Sequence, residues 1–235
     1  MEIEHLRWHQ GRWEPGKPGQ LYAAQLVLIF GELHTQPSLL TQVRQAYPRA
    51  YLIGCSTAGE ISGPNVLDHA LVVTAIHFTH TELRQARSRA GDSAEAGAQL
   101  ARQLDKDGLV HVFVLSTGLT VNGSALVAGL SQHLPPHVTI TGGLAGDGTR
   151  FRETLVLGGA DPDPESIIAI GFYSDRLRVG CGSRGGWEAF GPFRRITRSV
   201  GNVLYELDGW PALMLYQAYL GEQRATCRHP ACSSP

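Results

Sequence analysis

Charge and cysteine are both scarce in this chain. Only 17% of its 235 residues are charged, and 20 basic against 21 acidic side chains leave a net charge of −1. With no basic excess to neutralise phosphates, the composition argues against a nucleic-acid partner. Four cysteines in a chain this long make no disulfide framework and point to a reducing, cytoplasmic setting. Long hydrophobic runs are missing too. The longest, Leu21–Phe30, is broken by Gln25 and is far too short for a membrane span. Glu2, Glu4, His5 and Arg7 stand where the apolar core of a signal peptide would lie. Neither a phosphate loop nor the dinucleotide fingerprint is spelled anywhere, and the histidine spacing suits no metal motif.

What the chain does have is one pattern written twice. Ile53-Gly54-Cys55-Ser56-Thr57-Ala58-Gly59-Glu60 returns as Ile140-Thr141-Gly142-Gly143-Leu144-Ala145-Gly146-Asp147, at an offset of 87 positions. The same offset pairs Val27 with Val114, Leu28 with Leu115, Gly31 with Gly118, Leu39 with Leu126 and Pro48 with Pro135. Further along, Ala75-Ile76 and Phe78 echo Ala169-Ile170 and Phe172 at an offset of 94. The chain thus reads as an internal duplication over about residues 21–90 and 109–175. Each half carries a loop of small residues that closes on a carboxylate.

The periodicities fill in the rest. Residues 1–20 form a leader of loop-like composition, ending in Pro15, Gly16, Pro18 and Gly19. Leu21–Phe30, Tyr51–Ile53 and Ala70–Phe78 predict buried strands, and Glu82–Arg89 an exposed edge strand. Pro37 opens a helix to Tyr47. Asp92 or Ser93 caps a second over Ala94–Leu104, and Asn122 or Ser124 a third ending at Leu134. In the second half Val110–Leu115, Val138–Thr141, Phe151–Leu157, Ser166–Tyr173 and Leu177–Gly182 read as strands. Phe193–Thr197 and Asn202–Glu206 follow, and then a helix over Ala212–Leu220. The expected fold is α/β, with internally duplicated βαββ units forming mixed sheets and helices on the outer faces.

Three stretches carry a resemblance. Ile53–Ile61, Thr141–Asp147 and Gly201-Asn202-Val203-Leu204-Tyr205-Glu206-Leu207-Asp208-Gly209-Trp210-Pro211-Ala212 are similar to the motifs of the FIST family. The resemblance implies a sensory domain of signal transduction, with a small ligand such as an amino acid and a histidine kinase, cyclase or other signalling protein as its partner. It implies an amino-terminal FIST domain over 21–192 and the start of a truncated carboxy-terminal one over 193–221. The tail 222–235, with no aliphatic residue larger than alanine, is expected to be disordered.

The candidate ligand-binding residues are Cys55, Ser56, Thr57, Gly59 and Glu60 in the first loop and Gly142, Gly143, Gly146 and Asp147 in the second. Asn202 and Tyr205 are added from the third motif. Loops at the carboxyl ends of strands are where open α/β sheets take ligands. Small residues let a ligand approach the backbone, and Glu60 and Asp147 offer carboxylates for an ammonium group. The competing reading makes Gly59 a conformational need and Glu60 a cap. Asp208 reads as a cap or turn residue, and Arg198 as a carboxylate binder.

A non-enzymatic sensor, with no resident cofactor and no metal, is therefore the first expectation. A haem-binding nitric oxide sensor is the family's alternative and needs an axial histidine near an apolar pocket; His34, His77 and His111 lie on or beside buried strands and read as satisfied core or surface histidines. A hydrolase built on Cys55 is another, although Ala58 breaks the nucleophile-elbow pattern and a buried cysteine is usually inert. Cys227, His229 and Cys232 in the tail are a weak metal set, and a scaffold role remains as a fourth reading.

Overall fold

The computed structural model describes residues 1–33, 37–159, 161–183, 185–186 and 188–221. His34 and the tail, with Cys227, His229 and Cys232, lie outside the described residues. The chain divides into two compact units at Cys181/Gly182.

Unit 1 begins with strands β1 (Glu2–His9), β2 (Arg12–Glu14) and β3 (Leu26–Gly31), followed by helix α1 (Pro37–Ala46) and strand β4 (Tyr51–Cys55). A small hairpin, β5 (Glu60–Ser62) and β6 (Asn65–Leu67), leads to β7 (Leu71–His77) and β8 (Glu82–Arg89). Then come α2 (Ser93–Gln103), β9 (Leu109–Ser116), α3 (Gly123–His133), β10 (Thr139–Leu144), β11 (Val156–Gly158) and β12 (Ser166–Tyr173). They form a six-stranded sheet of order β11-β4-β3-β7-β1-β2 and a four-stranded sheet of order β10-β9-β12-β8.

The strand alternation dictates the layers. In β3, Val27 and Ile29 pack with Leu39, Leu40 and Val43 of α1, while Leu26 belongs to a core shared with Leu115, Ile168 and Ile170 of the second sheet. In the second sheet Val112, Val114 and Ala169 turn the other way, against Leu100, Leu104, Leu126 and Leu130 of α2 and α3. Two sheets therefore face each other across an apolar core, with α1 outside one and α2 and α3 outside the other. This is the mixed α/β sandwich that the apolar strands require, since strands covered on both faces must have a layer on each side.

Local chemistry sets the helix starts. The Asp92 carboxylate accepts from Glu95 N at 2.8 Å, and Asn122 Oδ1 from Ala125 N at 3.1 Å, each cap stabilising its helix by about 1 kcal/mol. The helices α2 and α3 approach so closely that a Cβ on Gly97 would lie 2.2 Å from Leu126 O, and one on Gly129 would lie 2.0 Å from Ala94 O.

The same connectivity occurs twice. β4-β3-β7 and β10-β9-β12 each combine a parallel pair with an antiparallel third strand. Val27 faces Ala75 and Val114 faces Ala169, so residues matched by sequence also match in antiparallel register. The parallel pairs do not match: Ile29 faces Gly54, but Ser116 faces Leu144 rather than Thr141. The second parallel strand has slid three positions along its neighbour, and β8 and β11 each join the sheet of the other half.

Several expectations differ from the structure. The leader holds strands: β1 lies between β7 and β2 in the first sheet. Its one deeply buried side chain, Leu6, gives too little apolar signal to read. The Glu4 carboxylate instead ties down this segment by accepting from Leu21 N and Tyr47 Oη. Of Phe151–Leu157 only the end becomes strand, because the preceding residues are held as a loop by Asp147, as described below. Residues 177–182 form no strand.

Unit 2 contains the three-stranded sheet β13 (Ile196–Val200), β14 (Val203–Leu207) and β15 (Trp210–Pro211), followed by α4 (Ala212–Leu220). Asp208 is a turn residue rather than a helix cap. It sits at φ +53°, and its carboxylate accepts from Arg195 N at 2.9 Å.

Candidate functional site

The first and second loops meet. Gly146 N donates to Ser56 O at 2.8 Å, and a Cβ on Gly146 would lie 3.1 Å from Ala58 N. Ser56 is buried and stitches the loops to the segment before β11. Its backbone N donates to Leu155 O, and its hydroxyl accepts from Leu155 N, both at 2.9 Å. Beside it a pair of hydroxyls, Thr117 and Thr154 at 2.7 Å, fastens the end of β9 to the same segment.

Next to this seam opens a cleft of about 300 Å³. Glu32, just past β3, and Thr57–Glu60, just past β4, line one side, joined by Asp68 and His69 ahead of β7. Asp147–Arg150, past β10, line the other. The floor thus lies at the carboxyl ends of parallel strands, where backbone groups and loops converge. Four carboxylates face one guanidinium, and His69 sits 2.9 Å from Glu32, so the cleft is acidic.

The two loop acids are held differently. Glu60 is 2% exposed; it accepts from Thr57 Oγ1 at 2.8 Å and from Ala70 N at 3.2 Å. Burial pushes its carboxyl above the ordinary value, and the neighbouring charges of Glu32 and Asp68 push the same way against those two donors. Asp147 is also buried, which raises its pKa. The backbone N–H groups of Arg152 and Glu153 and the Arg150 guanidinium outweigh burial and hold it below the ordinary range. Both Asp147 oxygens serve its own loop: Oδ1 accepts from Arg150 Nε at 2.8 Å, and Oδ2 from Arg152 N at 2.9 Å and Glu153 N at 3.1 Å.

Of the sequence candidates, Thr57, Gly59, Glu60 and Asp147 line the cleft. Ser56 and Gly146 join the loops behind it. Cys55 points into the core between the sheets, 4% exposed, with its thiol pushed up to about 12 by burial. A thiol so protonated is a poor nucleophile at neutral pH. Gly142 and Gly143 are strand residues of β10 and are not among the cleft-lining residues. At Gly142 the close approach is to backbone, because a Cβ there would lie 1.8 Å from Val114 O. Asn202, in the turn between β13 and β14, and Tyr205, on β14 beneath the Arg198 guanidinium, belong to unit 2. Arg198 pairs with Glu206 at 2.9 Å.

His111 is 2% exposed, and both ring nitrogens are hydrogen-bonded, Nδ1 to Thr139 Oγ1 at 2.7 Å and Nε2 to Thr141 Oγ1 at 2.9 Å. Burial lowers its pKa and favours the neutral ring. His77 Nδ1 bonds Ala23 O at 3.0 Å. Among the described residues no cluster of three or more His, Cys, Asp or Glu is placed to hold a metal ion.

Sequence reading missed Glu32, Asp68, His69 and Arg150. Glu32 could have been found, since it follows the strand-ending Gly31 as the acids of the two loops follow their glycines. Asp68 and His69 gave no such signal, being placed by the β5–β6 hairpin that periodicity did not reveal.

The fold and cleft define an α/β sandwich domain with an open acidic pocket of small-molecule size. The model of the FIST N domain matches residues 25–210, from the threshold of β3 to the start of β15, and the chain belongs to the FIST family, sensory domains of signal transduction. No curated protein matches the chain. Among the described residues no helix is long and apolar enough to cross a membrane.

Proposed function

We propose that unit 1 is a non-enzymatic sensor that takes a small polar ligand bearing an ammonium group, an amino acid being the leading class. The ligand lies between the loops that follow β4 and β10. One observation carries the reading: loops from the two facing sheets bring Glu32, Glu60, Asp68 and Asp147 to one open cleft beside a single guanidinium. The acids attract the ammonium, while Arg150, about half exposed, keeps guanidinium surface available for a carboxylate. Signalling to a histidine kinase, cyclase or similar partner proceeds by a shift between two arrangements of the loops, biased by the ligand. The protonated state of Cys55 and the engaged nitrogens of His111 favour this reading over a thiol hydrolase or a His111-ligated haem.

Thermal-shift screening against amino acids and other small amines tests it. A ligand at about 100 times its Kd should add about 2.7 kcal/mol of stability. Glu60→Gln should abolish the response while leaving the domain folded, because a glutamine can accept from Ala70 N–H and donate to the Thr57 hydroxyl. Absence of a response to every amine tried would refute the proposal.

Glu60 also predicts a pH signature in the unliganded domain. Its folded pKa lies above 4.5, so the native state binds the proton more tightly than the unfolded chain. The associated stability is full below that value and is lost as pH rises through the higher folded value. Urea denaturation at a series of pH values should show this decline, and Glu60→Gln should flatten it. An unchanged slope in the variant would mean that another group is responsible.

A further inference from the structure

Among the described residues His111 is the one buried histidine. It lies on β9, the strand that joins β10 to the rest of the second sheet. Its ring reaches across to two hydroxyls of β10, Thr139 Oγ1 at 2.7 Å from Nδ1 and Thr141 Oγ1 at 2.9 Å from Nε2. Thr139 Oγ1 also lies 3.5 Å from Val110 O, a carbonyl that takes its proton. The ring therefore donates from Nδ1 and accepts the Thr141 proton at Nε2. This chain of hydrogen bonds engages both nitrogens of an uncharged imidazole.

The strands around the ring offer it no carboxylate. β10 is uncharged over its whole length, and β9 has no other ionisable side chain. On β12 the ionisable group is Tyr173, which packs with the cluster beneath α2 and α3. The β12 side chain that meets His111 is Phe172, at 5.5 Å between ring centroids. Phe172 belongs to the core between the sheets, whose one ionisable member, Cys55, is a protonated thiol. Burial accordingly holds the His111 pKa below 6.5. A proton added at Nε2 would turn the Thr141 hydroxyl around and leave a buried cation with no counter-charge.

We infer that His111 is a proton-sensitive clamp: the neutral ring holds β10, and with it the second wall of the cleft, against β9, and the protonated ring lets that strand go. β10 is the edge of its sheet and pairs with β9 alone, so it is the element that gives. It runs directly into Ala145 and Gly146, held by Ala145 N to Ser116 O at 2.7 Å and Gly146 N to Ser56 O at 2.8 Å. Asp147–Arg150 of the cleft follow. The clamp acts on that wall whatever the cleft takes. Because burial lowers the pKa of the closed form, its stability is full above the open-form value and is lost as pH falls. Between the two values each unit of pH multiplies opening about tenfold. An imidazole is the side chain suited to such a switch between about pH 5 and 8.

The test is hydrogen exchange of the full chain at about pH 7.5 and about pH 5, corrected for the intrinsic effect of pH, across the range in which imidazoles titrate. The native sequence is compared with His111→Gln, whose amide can bond both hydroxyls but takes no proton. On acidification, native amides of residues 139–147 should lose protection about tenfold relative to those of β12, and the variant should keep its protection unchanged. Nitrogen NMR of the native imidazoles gives a second readout that needs no variant. The His111 ring should be neutral and protonated on Nδ1 at the higher pH, and should gain its second proton where β10 loses protection. Equal native protection of 139–147 at both pH values would overturn the inference. So would a folded His111→Gln that still loses protection, a loss spread evenly over both sheets, or a ring already doubly protonated at the higher pH.

Discussion

Gly142→Ala should destabilise unit 1 by about 3–5 kcal/mol, whereas Gly143→Ala, its immediate neighbour, should stay within about 0.5 kcal/mol of the native protein. Both glycines lie on β10, so propensity and exposure barely distinguish them. The difference is geometric. Gly142 holds φ +151°, a conformation that L side chains rarely adopt, and its added Cβ would sit 1.8 Å from Val114 O. That oxygen belongs to the neighbouring strand β9, in the middle of the second sheet, and cannot withdraw without breaking the ladder. Gly143 has open space around it. Urea denaturation of the two variants beside the native chain decides the matter. Equal stabilities for the pair would show that β10 does not approach β9 as described.

Asp147→Ala should cost about 2–4 kcal/mol and should loosen the segment 148–155 in particular. The carboxylate gathers three donors from its own loop, Arg150, Arg152 N and Glu153 N. The loss propagates, because Thr154 and Leu155 fasten the loop to Thr117 and Ser56. Hydrogen exchange should therefore rise at residues 152–155 before the rest of the sheet responds. Acid should mimic the variant. With its folded pKa below 3.8, Asp147 contributes stability that is present above that value and lost as pH falls through the folded pKa. This sign is opposite to that of Glu60, so two acids at matching sequence positions should pull the pH–stability curve in opposite directions. Unaltered exchange at 152–155 in Asp147→Ala would sink this account.

Several features were legible in the residues because they depend on local rules. Apolar runs marked β3 as a strand covered on both faces and β7 and β12 as strands, and Asp92 and Asn122 announced the starts of α2 and α3. The repeated loops drew the eye to Glu60 and Asp147, which the fold brings to one cleft. Other features were hidden because their signals are long-range. β1 is stabilised by its neighbours and by the Glu4 carboxylate rather than by its own periodicity. Glu32 and His69 are separated by 37 positions and meet only through the placement of β3 and β7.

The amino-acid sequence by itself settled the α/β class, the family motifs and the presence of two small-residue loops closing on acids, since periodicity, caps and repeats are written residue by residue. Only the tertiary structure decided what those parts do to one another. It slid β10 three positions along β9, committed Asp147 to its own loop, buried Glu60 among other acids and turned Cys55 into the core. Register, burial and partner choice depend on which distant segments pack together. No local pattern in the chain encodes that.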